Sequence, residues 1–201
     1  MQEERNRLQG EVDIARTIQT SILPTSFDVE GYEVAASMNT ATEVGGDAYD
    51  FIPGAGANFF GIGDVAGHGL SAGIMSLIQM SAFHTSVETV AELGADISVD
   101  KVYDIVNRVL CRINRDRIGS DKFMTQNYLI QKGHSFSYAG SHEVALVYRA
   151  SSGVVEEITG TTGKTAYLGL SEHVRSASSL GKFSLDPGDI LVVYTDGVIE
   201  A

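Results

Sequence analysis

Cysteine is almost absent from this 201-residue sequence, and apolar runs long enough to cross a bilayer are absent altogether. The single cysteine, Cys111, excludes an intrachain disulfide and is typical of a reducing compartment, so we expect a cytoplasmic location. Residues 1–5 also lack the features of a secretion signal. We therefore expect no membrane insertion.

Basic residues are scarce as well. Lys and Arg number 14 against 26 Asp and Glu, which gives a formal net charge of -12 at pH 7. Binding to nucleic acid or to an anionic membrane requires a basic patch, so neither is expected as the main partner. An acidic surface also repels phosphorylated substrates, so any attraction for them must be local. The hydrophobic fraction of 43% is sufficient for one sizeable core.

A glycine-rich acidic turn lies at the centre of the sequence. An apolar, aromatic run that begins at Phe59 predicts a strand, a run from Leu70 onward predicts a helix, and Asp64 lies between them. A carboxylate at the end of a buried strand is costly unless a positive charge meets it. The flanking glycines allow a sharp bend and a close approach to a ligand: Gly61, Gly63, Gly67 and Gly69. This pattern predicts a metal site.

Two further acids stand in similar positions. Asp47 follows a glycine pair, and Asp196 follows the apolar run 190–194 and precedes a glycine. Since no Cys or His pair has zinc-like spacing, oxygen ligands and a hard ion such as Mg²⁺ or Mn²⁺ are favoured. Each of these turns, taken alone, can also be interpreted as an ordinary hairpin turn. Three acidic turns tied to apolar strands together favour a shared cation site.

Four segments resemble motifs of one family: Ala15–Pro24, Glu43–Asp47, Gly63–Gly69 and Tyr194–Ala201. They are similar to those of bacterial PP2C-type (PPM) serine/threonine phosphatases, in particular the SpoIIE/RsbU-like group. The resemblance runs from about residue 11 to the last residue, with the acidic motifs in the family's order. It implies an α+β fold, a PP2C-like α-β-β-α sandwich of two mostly antiparallel sheets flanked by helices.

The resemblance also implies a two-metal site of Mn²⁺ or Mg²⁺. Asp64 would bridge the two ions, the carbonyl of Val65 would complete one of the two sites, Asp196 would bind the other ion, and Asp47 would hold metal-bound waters. Two divalent ions about 3.5–4 Å apart activate a water and offset the phosphate charge, so no protein nucleophile is required. Family members continue into a further helix and a strand with an Asp-Asp pair. The domain is therefore expected to be C-terminally incomplete, with a missing ligand and weak activity.

Other polar residues near these motifs are interpreted more plainly. His68 and His142 are interpreted as structural, and His68 has a role as a proton donor as its alternative. Asp50 and Glu43 are expected to cap turns or to accept hydrogen bonds from the backbone. No arginine stands near the acidic motifs, so substrate binding is expected to depend on the metals.

The order of elements predicts two parts, a leading helix within residues 1–24 and a phosphatase domain over residues 25–201. The apolar positions of the leading helix cover about half of its circumference, enough to contact its own domain and a second copy at once. After it we expect two central helices, at 70–93 and 99–114, with Ser98 as N-cap of the second. The strands are expected at Tyr32–Asn39, 47–53, 58–65, 123–131, 134–139, 143–149, 154–158, 173–183 and 190–194.

These observations predict a metal-dependent protein serine/threonine phosphatase. The resemblance implies that its substrate is a phosphoserine or phosphothreonine on a small anti-sigma-factor antagonist protein. Three alternatives stay open: a catalytically weak module that binds such a partner, a dimerising signal-relay element built on the leading helix, and a structural Ca²⁺ site.

Overall fold

The computed structural model describes residues 2–39, 44–54, 56–94, 98–118, 122–158, 167–172 and 180–199. Within these ranges no helix combines the length and the hydrophobicity needed to cross a bilayer.

Three α-helices lie close to their predicted positions: α1 (Gln2–Ser21), α2 (Leu70–Glu92) and α3 (Val99–Ile113). A π-helical turn, Asn114–Ile118, extends α3. The predicted N-cap of α3 is only half correct. Ser98 has the extended backbone of a cap residue, but its side chain makes no capping hydrogen bond.

In the part of the chain that the structure describes, eight strands form two antiparallel sheets. The larger sheet has the order β1-β2-β3-β4-β7, and the smaller has the order β6-β5-β8. Their bounds are β1 Ala48–Ile52, β2 Asn58–Val65, β3 Met124–Lys132, β4 Ser135–Ser141, β5 Ala145–Arg149, β6 Val154–Ile158, β7 Leu180–Ser184 and β8 Ile190–Val192.

The two larger core clusters lie on opposite faces of the larger sheet. On one face, α2 and α3 pack against the sheet around Phe83, Tyr103 and Tyr128. On the other face, Leu129 packs with Val147 of the smaller sheet. Because neighbouring strand residues point to opposite faces, Tyr128 and Leu129 belong to different clusters. This mixed fold of helices and antiparallel sheets confirms the predicted α+β class.

Two predicted strands differ from the structure. The segment Tyr32–Asn39 is not a strand, although its pattern predicts one. Residues 33–37 are exposed, and a strand needs a neighbour to satisfy its backbone. Tyr32 is held by its side chain instead, through a bond from its hydroxyl to the carbonyl of Gly133 at 3.0 Å. Of the strand predicted at 173–183, residues 173–179 lie outside the described ranges, and the rest forms β7.

The pairing of the first three strands brings the first two acidic motifs to one edge of the larger sheet. Ala48 lies opposite Gly63 in the β1–β2 hairpin, and Asp64 lies opposite Thr125 in the β2–β3 pair. The beginning of β1, the end of β2 and the beginning of β3 therefore meet at this edge.

Candidate functional site

The turn after β2 is fixed by backbone contacts on both sides. The amide of Ala66 donates to the carbonyl of Phe123 at 2.8 Å, and the amide of Gly69 donates to the carbonyl of Val44 at 3.1 Å. Gly67 and Gly69 have φ angles of 91° and 81°, which a residue with a side chain rarely adopts. The two glycines therefore allow the chain to leave β2 and enter α2 within a few residues.

The loop before β1 packs directly onto this turn. The amide of Val65 donates to the carbonyl of Gly46 at 3.2 Å. A Cβ atom at Gly46 would overlap Oδ1 of Asp64 and the carbonyl oxygen of Val65. Only glycine fits at this contact. The residue that follows it, Asp47, is thereby held beside the second acidic motif.

Asp47 is the link to the third acidic motif. Its side chain accepts a hydrogen bond from Thr195, and its Oδ2 atom lies 3.9 Å from the position that a Cβ atom on Gly197 would occupy. Burial raises the pKa of the Asp47 carboxyl, the Thr195 bond lowers it, and the nearby Asp196 carboxylate raises it again. Two acids from distant parts of the chain therefore affect each other electrostatically.

Asp196 is the least enclosed of the three acids. It opens a short 3₁₀ turn, Asp196–Val198, that follows β8, and its side chain is exposed. Asp64 is half-buried, and Val65 beside it is buried. The structure thus brings the predicted residues to neighbouring positions in pairs. Among the described residues, however, no three His, Cys, Asp or Glu side chains form a group arranged to hold a metal ion.

The chemistry of the donors fits a hard divalent ion. The Oδ1 atom of Asp47 is buried and makes no hydrogen bond within the described ranges, an arrangement that is costly without a cation or water. Asp64 and the carbonyl of Val65 face the same glycine contact, so carboxylate and carbonyl oxygens stand side by side. Such oxygens are the ligands that Mg²⁺ and Mn²⁺ prefer.

His142 lies near two of the acidic motifs, those of Asp64 and Asp196, although its sequence context indicated only a structural role. Its Nδ1 atom lies 2.8 Å from the hydroxyl of Thr125, the residue paired with Asp64. Burial lowers the pKa of His142 to about 4, against the opposing effects of the Asp196 carboxylate and the Tyr194 backbone. Its Nε2 atom is buried and makes no well-formed hydrogen bond to the described residues. The imidazole is therefore neutral at pH 7.

Lys122 is a cationic residue near the acidic motifs that the sequence patterns did not mark. The Nζ atom of Lys122 lies 3.0 Å from the carbonyl oxygen of Ala66. It also lies 3.1 Å from the position of a Cβ atom on Gly67. An ammonium group therefore rests on the turn that follows Asp64. Lys122 lies two positions before Met124, the first residue of β3. It is not part of any hydrophobic repeat, so the sequence pattern does not single it out.

Sequence reasoning also overlooked Gln19 in the leading helix. This side chain is 2% exposed and bonds both backbone groups of Gly45, with Nε2 to the carbonyl at 2.8 Å and Oε1 to the amide at 3.3 Å. Gly45 precedes Gly46 and Asp47, so α1 directly supports the loop that carries the first acid. The signal available in the sequence was a glutamine one helical turn from Ala15 and Leu23, on the apolar side of the helix.

The remaining predicted residues have mixed outcomes. Asp50 accepts a backbone bond from Phe51 at 2.8 Å, as expected, and also pairs with His84 of α2 at 2.9 Å. His68 is exposed, which gives no support to its interpretation as a satisfied histidine that holds the turn. Glu43 lies outside the described residues.

Comparison with known proteins gives the family. A sequence model of the Stage II sporulation protein E (SpoIIE) family matches residues 54–201, which is most of the chain. The chain belongs to the SpoIIE family. Curated protein sequences give no significant match.

Solved structures similar to this SpoIIE-family chain are bacterial proteins with the PP2C fold. The SiaA-PP2C domain of Pseudomonas aeruginosa is 18% identical, with a TM-score of 0.69 over 98% of this chain and 75% of that domain. The RsbU and RsbW domains of Rv1364c from Mycobacterium tuberculosis are 23% identical, with a TM-score of 0.59 over 82% of this chain and 42% of that one.

A third similar structure is that of RsbX in complex with magnesium. It is 18% identical, with a TM-score of 0.51 over 84% of this chain and 69% of that one. At these identities the structural likeness shows the fold. Together with the family match, it identifies a PP2C-type phosphatase domain.

Proposed function

We propose that this SpoIIE-family domain hydrolyses phosphoserine or phosphothreonine on a partner protein, with two Mn²⁺ or Mg²⁺ ions as cofactors. The observation that carries the proposal is the position of Asp47 between two turns. Through Gly46 it adjoins Asp64 and Val65, and through Thr195 it adjoins Asp196. Acids that are far apart in sequence have no reason to gather in an acidic protein unless a cation compensates their repulsion.

Residues from three separate parts of the chain would bind the ions. Asp64 and the carbonyl of Val65 would hold ions from the turn after β2, Asp196 would hold an ion from the turn after β8, and Asp47 would orient bound water. When bound, the ions supply an activated water and offset the charge of the phosphate. The raised pKa of Asp47 fits this role, because a cation would restore its charged form.

A protein is the favoured substrate. The likeness to a chain that joins RsbU and RsbW domains, and the resemblance to the SpoIIE/RsbU-like group, support a phosphorylated anti-sigma-factor antagonist as partner. The net charge of -12 disfavours nucleic acid in that role.

The test is metal-dependent hydrolysis of p-nitrophenyl phosphate, followed by release of phosphate from a phosphoserine peptide. We expect no turnover in excess chelator and recovery of turnover on addition of Mn²⁺ or Mg²⁺. Thermal stabilisation by Ca²⁺ with no hydrolysis under millimolar Mn²⁺ would instead support the structural calcium site.

A catalytically weak, partner-binding module is the second candidate, and one observation favours it. Asp196 is exposed, and the described residues contain no ready-made group of three metal-binding side chains. This candidate predicts that the chain binds the phosphorylated partner while its turnover stays near that of a variant without Asp64. A large difference between the two proteins would exclude it.

We further propose that α1 forms the regulatory part and joins two copies of the chain. Three isoleucines spaced four residues apart leave much of their surface exposed, with Ile14 at 62%, Ile18 at 50% and Ile22 at 44%. Gln19 on the same helix contacts Gly45, so a change in α1 would reach the loop of Asp47. Sedimentation of Ile18→Glu tests this proposal, since a dimer that persists in this variant would contradict it.

A further inference from the structure

Lys122 combines two features, a fixed backbone and a charged end placed on the acidic turn. Its carbonyl accepts a hydrogen bond from Nδ2 of Asn114 at 2.6 Å, and Asn114 also bonds the carbonyl of Gly169 at 3.2 Å. Asn114 itself is buried. The base of the lysine is therefore held by a buried amide.

The next residue strengthens this hold. The carbonyl of Phe123 accepts the amide of Ala66, while Nζ of Lys122 reaches the carbonyl of Ala66. Ala66 is therefore bonded through both its amide and its carbonyl. The two contacts connect the residues just before β3 to the turn after Asp64. The ammonium group thus stays close to the turn.

The negative charge of the site suggests a role for the ammonium group of Lys122. Asp47, Asp64 and Asp196 supply negative charge, and the whole chain carries -12. These carboxylates repel the negative charge of a phosphate ester that enters the site. The repulsion is stronger in a half-buried environment than in water, because the effective dielectric constant is lower. A lysine is a common phosphate-binding residue, and it acts as a point charge.

We propose that Lys122 binds the phosphate group of the substrate beside the metal site, an inference that rests on the proposed phosphatase function. An ammonium group has three donors, so a bond to the carbonyl of Ala66 is compatible with a contact to a phosphate oxygen. Lys122 thereby replaces the arginine that the sequence lacks near its acidic motifs, and substrate affinity does not depend on the metals alone.

The experiment compares neutral and charged variants. Lys122→Met removes the charge at nearly constant length, Lys122→Gln keeps a donor, and Lys122→Arg keeps the charge. Lys132→Met is the matched control, because Lys132 is an exposed lysine at the far end of the strand that follows Lys122. The measurements are kcat and KM for p-nitrophenyl phosphate at saturating Mn²⁺, and the Ki of inorganic phosphate. Manganese affinity and thermal melting are measured beside them.

In Lys122→Met we expect KM and the Ki of phosphate to rise about tenfold, as for the loss of one charge-assisted hydrogen bond. Manganese affinity should change less than about twofold, because lysine is not a ligand. Lys122→Arg should recover most of the loss, and Lys132→Met should match the parent. Should Lys122→Met fail to fold, Lys122→Gln and Lys122→Arg provide the same contrast of neutral and charged side chains.

The proposal is overturned if neutral variants keep the parental KM and Ki while they melt at lower temperature, since Lys122 would then only clamp the turn. A second measurement tests the role of Lys122 independently of the proposed phosphatase activity. Binding of inorganic phosphate to the Mn²⁺-loaded protein is measured by calorimetry, without turnover. Phosphate binding that Lys122→Met loses supports the site even in a protein that hydrolyses nothing, and a parent that binds no phosphate contradicts it.

Discussion

The helix-covered face of the larger sheet and the outer face of the smaller sheet differ sharply in how well they are covered. On the helix side, Tyr103 and Leu110 of α3 are 0% exposed. On the outer face of the smaller sheet, Val155 and Ile190 are 56% and 55% exposed, although both stand in strands. Burial of apolar surface is the main source of stability. The helix side therefore holds the fold together, and the smaller sheet adds less.

The candidate site contains residues from both the well-buried and the less buried region. Asp47 and Asp64 belong to the edge of the larger sheet, where paired strands and close backbone contacts fix them. Asp196 follows β8 of the smaller sheet and is exposed. Two of the acids are therefore preorganised, whereas the third is attached to the less buried part of the molecule. Preorganised ligands contribute most to a metal site.

The largest expected effect is at the preorganised end of the site. We expect Asp64→Asn to lower Mn²⁺-dependent hydrolysis about a thousandfold, because Asp64 is the proposed ligand of both ions and a neutral amide is a poor ligand for a divalent cation. Asp196→Asn should lower it less, by about tenfold, because an exposed ligand is more easily replaced by water. Rates with p-nitrophenyl phosphate measure both, and circular dichroism checks the fold. Asp28→Asn, at an exposed position, serves as control, and equal losses for Asp64 and Asp196 would break the comparison.

The next effect concerns stability. We expect Leu110→Ala to lower the free energy of unfolding by about 2–5 kcal/mol, the range for a fully buried leucine. Ile190→Ala should change it by less than about 0.5 kcal/mol, because much of its side chain is already in water. Urea denaturation of both variants measures the difference. A loss at Ile190 as large as that at Leu110 would show that the outer face of the smaller sheet is covered in solution.

Much of the fold could be predicted because it depends on local patterns. The hairpin of β1 and β2 follows from two apolar runs joined by a Gly-rich turn, and α3 follows from its amphipathic repeat. The segment Tyr32–Asn39 was predicted wrongly for the same reason. Its pattern fits a strand, but a pattern does not show whether a neighbouring strand is available to pair with it.

The contacts around the site could not be predicted in this way. Gln19 reaches Gly45, and Lys122 reaches Ala66, across 26 and 56 positions in sequence. Such pairs are set by how helices and loops pack on the sheet, which periodicity does not encode. The unexpected position of His142 beside Thr125 has the same origin, because Thr125 lies in β3, 17 positions away in sequence.

The third effect is a pH dependence that arises between the two sheets. The pKa of His142 is 6.5 when unperturbed and about 4 in the folded protein, where burial lowers it. The unfolded chain therefore binds a proton that the folded chain does not. Stability from this group is full above about pH 6.5 and declines as the pH falls toward 4, by about 3 kcal/mol in all.

His142→Gln isolates this contribution, because glutamine can still bond Thr125 but does not titrate. We expect the difference in unfolding free energy between parent and variant to change steadily from pH 6.5 to 4 in urea titrations. His134→Gln, at an exposed position, controls for the loss of an imidazole. A constant difference across this range would mean that His142 is hydrated in solution and that the space between the sheets is open to water.

The smallest effect tests the contact that joins the first two acids. A Cβ atom at Gly46 would overlap Oδ1 of Asp64 and the carbonyl of Val65, so Gly46→Ala must push the loop of Asp47 away from the turn. We expect manganese affinity, measured by calorimetry, to fall about tenfold, as for other losses of ligand support. Gly10→Ala is the matched control, because a Cβ atom there meets nothing within 4 Å and alanine favours the helix. If Gly46→Ala binds manganese as the parent does, the edge of the larger sheet is less rigid than its packing indicates, and the advantage assigned to Asp64 over Asp196 loses its physical basis.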